Sequence, residues 1–228
     1  MSSARGLFIT GTDTEVGKTY IASLIARRLV DSGYRVGVYK PVVSGLGSED
    51  NAAAGADGSR LWEAAGRPGL LDQVCPQCFA APLAPNLAAH QEGKMVDEDL
   101  LVDGLDTWRQ QSEIVVVEGI GGLMSPVTKE MYTADLAHEF GFPLVVVAPN
   151  TLGVINQTIQ TLIAAATFRN GLEIAGIVLN DVRVDPSDVS ISSNRGELEL
   201  HCVPRVVAHV SHGATVLDNS VDWFQLAK

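Results

Sequence analysis

Lys18 and Thr19 close the stretch "TGTDTEVGKT" (10–19), and a lysine followed by a hydroxyl at the start of a helix is a pairing used in phosphoryl transfer. Backbone N–H groups of such a loop surround phosphate oxygens, the ammonium reaches the β- and γ-phosphates, and the hydroxyl meets a magnesium ion. The spacing is that of GxxxxGK[ST] with one departure: Thr12 stands where the first glycine belongs, and Gly11 comes one residue early. Asp13 and Glu15 also bring negative charge into a loop meant for an anion. Gly17, Lys18 and Thr19 keep the motif's second half. The loop lies between an apolar run and a helical pattern, the context in which such a match carries weight.

Other stretches end apolar runs in groups that could do chemistry. "YKPVVSG" (39–45) places Lys40 at a strand end, followed by a proline that cannot continue a ladder. Taken alone, Lys40 reads equally well as a surface lysine with its stem along apolar surface, and Ser44 is likewise ambiguous. "VVVEGIGGL" (115–123) ends in Glu118, a position from which a carboxylate orients magnesium, and Gly119, Gly121 and Gly122 allow close approach to the backbone. Asp57 precedes the helical pattern "SRLWEAAG" (59–66) and by itself reads as a helix cap near Ser59. In "VLNDV" (178–182), Asn180 offers a donor and an acceptor to a purine edge. Asp181 occupies the lysine position of the guanine-reading N-K-x-D pattern, which disfavours guanine. Cys75 and Cys78 form a CxxC, but with Cys202 the only other thiol a closed four-ligand zinc site is not available from cysteine, and the pair reads as free thiols in a loop. The five histidines show no HExxH spacing, so each reads as a surface or turn residue.

These groups need elements to hold them. Apolar runs at 6–11, 35–42, 113–119, 143–149, 174–182 and 204–210 alternate with helical patterns at 18–33, 97–112, 133–141 and 155–171. The runs are continuous rather than alternating, as in parallel strands covered on both faces. The fold class expected is α/β: a doubly wound, mostly parallel sheet with helices on both faces, its ligands held outside the carboxyl ends of the strands. Segment 45–96 is too long for a plain loop and should contain short helices. Residues 1–228 read as one domain, since no linker or repeat interrupts the pattern. With 27 acidic against 16 basic residues the formal charge is −11, which disfavours nucleic-acid partners. No run approaches the ~20 apolar residues of a membrane span, and the first residues lack a signal-peptide pattern. A cytoplasmic protein without a membrane partner is expected.

In order and spacing, "TGTDTEVGKT", "YKPVVSG", "FAAPLAPNLAA" (79–89), "VVVEGIGGL", "NTLGVINQT" (150–158) and "LND" (179–181) resemble the dethiobiotin synthetase family, from about residue 5 to 182 and again in "NRGELELHCVPRVV" (194–207). The resemblance implies a P-loop fold with a seven-stranded sheet and a homodimer. It implies closure of a ureido ring from 7,8-diaminononanoate, CO2 and ATP with Mg2+, by way of a carbamate and a carbamic–phosphoric anhydride. It implies catalytic roles for Thr14, Lys18, Lys40 and Ser44, of which Thr14, Lys40 and Ser44 also contact the substrate. The nucleotide would be met by Thr12, Asp13, Glu15, Val16, Gly17, Lys18, Thr19, Glu118, Gly121, Asn180 and Pro204. The metal shell would be Thr19, Asp57 and Glu118, which replaces the capping role of Asp57. Backbone N–H groups at Gly153, Val154, Ile155 and Asn156 would receive the substrate's distal carboxylate across the dimer. For Asp13 and Glu15 the expectation is that they balance Lys18 and Lys40, or hold the diamine. One departure bears on adenine: "AHVSHG" (208–213) has Val210 and Ser211 where many relatives carry Ile-Pro. The competing expectation is a nucleotide-switch ATPase of the partition or division-site type, although such proteins usually carry another lysine early in the loop. The amidating cobyrinate synthetases share the loop, but this chain lacks room for their glutaminase domain.

Overall fold

The computed structural model describes residues 4–46 and 55–228. Its centre is set by β-branched runs that have no exposed face. Ile114–Val117 and Leu144–Ala148 are fully buried, as expected of strands packed between two helical layers. In chain order the elements are β1 (Arg5–Gly11), α1 (Lys18–Asp31), β2 (Val36–Tyr39), β3 (Val42–Ser44), α2 (Gly55–Ala64), α3 (Leu71–Val74), β4 (Gln77–Phe79), α4 (Pro85–Gln91), α5 (Glu98–Gln111), β5 (Ile114–Gly122), α6 (Thr133–Phe140), β6 (Leu144–Pro149), α7 (Val154–Thr167), β7 (Ile174–Asn180), α8 (Ile191–His201), β8 (Val206–Val210) and α9 (Trp223–Leu226).

Six strands form one sheet in the order β2-β5-β1-β6-β7-β8, and every pairing in it is parallel. The chain steps outward from β1 to β2 and, after β5, back across β1 to β6. The order therefore reverses beside β1 and β5, and the crevice beyond their carboxyl ends is where an open α/β sheet holds its ligand. Register then decides which side chains meet there. Tyr39 lies opposite Val117 and Ile9 opposite Glu118, so Lys40, the next residue after Tyr39, arrives beside Glu118.

Three expectations need correction. The sheet has six strands among the described residues, not seven; β3 and β4 form a separate two-stranded parallel ribbon. The run 35–42 is not one strand, because Pro41 cannot donate to a ladder and the chain leaves the main sheet at Lys40 to enter the ribbon at Val42. The run 204–210 starts two residues later, at Val206. Segment 45–96 does contain helices, although residues 47–54 lie outside the described part. Among the described residues no helix is long and apolar enough to cross a membrane.

Candidate active site

The loop after β1 turns into α1 through two left-handed residues, Glu15 (φ 58°) and Gly17 (φ 90°). Glycine adopts this conformation freely and glutamate does not. Gly17 has a second reason to lack a side chain: an added Cβ would lie 2.3 Å from Asn180 Nδ2. That amide, at the end of β7, donates to the Val16 carbonyl at 2.9 Å. Asn180 Oδ1 is buried and has no partner among the described residues, so the acceptor half of the amide remains available to a ligand's N–H.

Lys18 Nζ donates to the Asp13 carbonyl at 2.9 Å and is buried. Burial pushes its pKa below the ordinary lysine value; the Glu118 charge opposes that shift, and the neighbouring Lys40 adds to it. An ammonium in this position is short of anions and gains from a phosphate. Thr19 Oγ1 donates to Glu118 Oε1 at 2.8 Å.

Lys40 does not lie along the surface. Only 5% of it is exposed, and its Nζ is 2.8 Å from both Glu118 Oε1 and Asp57 Oδ2. Burial alone would lower its pKa, but the Glu118 and Asp57 charges and their hydrogen bonds outweigh that and raise it well above the ordinary value. Glu118 is 1% exposed, and its second oxygen, Oε2, has no partner among the described residues. Asp57 sits in the first turn of α2, aimed at Lys40 rather than capping the helix. Burial raises its pKa, but the Lys40 charge and the hydrogen bond from Lys40 hold it below the ordinary carboxylate value.

Thr14, Glu15, Gly17, Lys18, Thr19, Lys40, Ser44, Asp57, Glu118 and Gly121 border one cavity of about 810 Å³. Gly121 (φ 58°) has to lack a side chain, because an added Cβ would lie 2.2 Å from Ser125 Oγ. Ser44 Oγ donates to the Leu83 carbonyl at 2.6 Å, which ties the ribbon to the turn before α4. Thr19, Asp57 and Glu118 present only oxygen donors, and Glu118 Oε2 is an orphaned buried acceptor. Magnesium prefers such a set, one or two carboxylates completed by substrate phosphates and water. Among the described residues no group of three or more His, Cys, Asp or Glu could hold a metal without such help.

Other predicted residues lie apart. Val16 is core, so only its backbone faces the loop. Thr12 Oγ1 is buried without a partner, and the Asp13 carboxylate bonds the Thr14 N–H at 2.7 Å; neither residue lines the cavity. Pro204 is misplaced as a nucleotide contact. It precedes β8, and in a parallel sheet that puts it at the amino edge, opposite Asn180. Gly153, Val154, Ile155 and Asn156 form the start of α7 and do not border this chain's cavity. The Val154 N–H already bonds the Thr151 carbonyl at 3.2 Å, so it is a poorer donor than expected. Motif reading missed Arg60 and Ser125, both on the cavity wall. Arg60 follows Asp57 by three residues, the spacing that puts both on one helix face.

A family model described as an AAA domain matches residues 5–217. The ATP-dependent dethiobiotin synthetase BioD of Rhodopirellula baltica is 42% identical over 214 residues, covering 89% of this chain and 82% of that protein. The chain belongs to the dethiobiotin synthetase family. Its relative from Anaeromyxobacter dehalogenans strain 2CP-C, also named ATP-dependent dethiobiotin synthetase BioD, is 43% identical over 195 residues, covering 85% of this chain and 84% of its own. The ParA family ATPase of Chlorobium tepidum TLS shares the fold with a TM-score of 0.58 at 15% identity, covering 92% of this chain and 84% of that one. Partition-type ATPases are thus distant relatives in fold, while dethiobiotin synthetases are relatives in sequence.

Proposed function

We propose that this enzyme closes the ureido ring of dethiobiotin from 7,8-diaminononanoate, CO2 and ATP, in biotin biosynthesis. The reading rests above all on the ammonium of Lys40, clamped between two carboxylates and sharing a cavity with Lys18 and Thr19. One substrate amine adds to CO2 and loses a proton, giving a carbamate. A carbamate oxygen attacks the γ-phosphorus as the bond to ADP breaks, forming the mixed anhydride. The second amine attacks the carbamoyl carbon and gives up a proton, the C–O bond to the phosphoryl group breaks, phosphate leaves, and the ring closes. Lys40 stabilises the carbamate and the charge on the transferring phosphoryl group, and a fixed ammonium needs no reorganisation to do so. Thr14 and Ser44 orient the carbamate, and Lys18 holds the terminal phosphates. Thr19, Asp57 and Glu118 would hold Mg2+, whose charge would supply neutralisation for the phosphates. Asn180 Oδ1 accepts from the adenine amine.

The same reading takes residues 1–228 as one synthetase domain; the largest buried cluster, whose members run from Ala4 to Ala227, supports this. It also takes the working form as a homodimer in the cytoplasm. The start of α7 does not border its own cavity, and Leu152 just before it is 81% exposed. The partner's diamine would place its carboxylate there, where a helix terminus favours an anion.

The deciding assay is dethiobiotin formation from the diamine, bicarbonate and Mg-ATP. Product should form, and ATP turnover should depend on the diamine. Turnover indifferent to the diamine would instead favour the nucleotide-switch reading. Asn180→Ala is expected to raise the KM for ATP by about tenfold, the loss of a hydrogen bond or two at ~1 kcal/mol each. The KM for GTP should change less, since guanine offers an oxygen where adenine offers the amine. Equal effects on both nucleotides would remove Asn180 from base recognition.

A further inference from the structure

The Cys75-x-x-Cys78 pair has no role in ring closure, and its setting is not the loop expected from sequence. Cys75 caps the end of α3 with 2% of its surface exposed, while Cys78 lies in β4 and is partly open. Their Sγ atoms are 3.7 Å apart. Both are joined to the catalytic wall through the backbone. The Lys40 N–H donates to the carbonyl of Val74, the residue before Cys75, at 2.7 Å. In the ribbon Val43 pairs with Cys78 and Ser44 with Phe79, and Lys40, Val43 and Ser44 all border the cavity. No other cysteine lies within this group, as Cys202 follows α8.

We propose that Cys75 and Cys78 are a dithiol that a peroxide closes into a disulfide, and that the closed form slows the synthetase. The Cys78 thiolate attacks one peroxide oxygen and the O–O bond breaks. The leaving hydroxide takes up a proton as water, and Cys78 becomes a sulfenic acid. The Cys75 sulfur then attacks Cys78 Sγ; the S–S bond forms, the S–O bond breaks, and the Cys75 proton leaves with hydroxide as a second water. Two thiols lose two electrons and one peroxide becomes two waters. The division of labour follows from position. Cys78 is the accessible sulfur; its contact with Cys75 lowers its pKa, burial opposes that, and the Lys40 charge assists. The same contact and deeper burial push Cys75 up, so the inner sulfur keeps its proton until it resolves the sulfenic acid.

Closure draws the sulfurs from 3.7 Å to the ~2.05 Å of a disulfide. The movement must be taken up by α3's end and by β4, the two segments bonded to Lys40 and Ser44. A displacement of roughly 1 Å at a positioning group can cost as much as ~10²-fold in rate, so a fall of about tenfold in kcat/KM for the diamine is expected. This second half rests on the synthetase reading; the first half does not.

The test treats the reduced full-length protein with equimolar hydrogen peroxide and reads both intact mass and dethiobiotin formation. Wild type should lose two hydrogens, close Cys75 and Cys78 to maleimide, lose activity, and recover both with dithiothreitol. Cys202→Ser should behave the same. Cys75→Ser should stop at a sulfenic acid on Cys78 that dimedone traps, and Cys78→Ser should leave Cys75 unoxidised. Absence of an internal disulfide, or pairing through Cys202, would overturn the dithiol. A disulfide that forms without changing activity would overturn the control of turnover. Should the reduced protein make no dethiobiotin, the synthetase reading fails while the mass still decides the chemistry of the thiols.

Discussion

Lys40→Gln is expected to lower dethiobiotin formation by at least ~10²-fold, the order seen when one charge-stabilising donor is removed from a reaction centre. Glutamine carries no charge and its amide ends one bond short of the Nζ position, so the loss combines charge with reach. Most of it should appear in kcat, because the charge Lys40 meets is greatest as carbamate and phosphoryl group join. Turnover near that of wild type would remove Lys40 from its role. The substitution should also be felt without substrate. Glu118 is 1% exposed and would keep only the Thr19 hydroxyl, one bond at 2.8 Å. Removing one partner of a buried ion pair typically costs about 3–5 kcal/mol, so a fall of that order in unfolding free energy by denaturant titration is expected.

Glu118→Gln makes the complementary change and should lower kcat/KM by about 10–100-fold, a loss partly regained at high magnesium, since altered groups around a metal site typically cost that much in affinity or activity. An unchanged magnesium requirement would place the metal elsewhere. The second signature is in pH. In the wild type the raised pKa of Lys40 means that its ionised form stabilises the fold fully below the ordinary lysine value of ~10.4, and that the benefit is lost only as pH rises through the raised value. Wild-type activity should therefore show no alkaline loss from Lys40 below about pH 10. In Glu118→Gln, burial is opposed by Asp57 alone, the pKa of Lys40 falls, and an alkaline limb should appear at lower pH. An identical profile in both proteins would show that Glu118 does not hold the ammonium's charge.

Strands β1, β2, β5, β6 and β7 were legible because they are largely buried on both faces and so written as unbroken apolar runs, whereas the edge strand β8, with His209 exposed, gave a weaker signal. Lys40 was legible as a strand end because Pro41 stops the ladder beside it. What surrounds Lys40 was not, since its partners are set by register across β2, β5 and β1 and no local pattern encodes that. Asp57 illustrates the point: before a helical run it looks like a cap, and only the tertiary approach of α2 makes it a counter-ion. The β3–β4 ribbon was missed because three-residue strands carry no period. Pro204 was misjudged because its role was taken from the family resemblance; at the start of the last strand it lies at the amino edge whether that strand begins at 204 or at 206. Arg60 gave a weak signal in its spacing from Asp57, and Ser125 gave none.

The bond from Asn180 to the Val16 carbonyl, together with the missing side chain at Gly17, makes Asn180, the residue proposed to read the base, a structural prop of the loop after β1. Discrimination among nucleotides and alignment of the departing ADP are then mechanically one act. A nucleoside triphosphate with the wrong base should reveal itself less by refusing to bind than by binding out of line and turning over slowly.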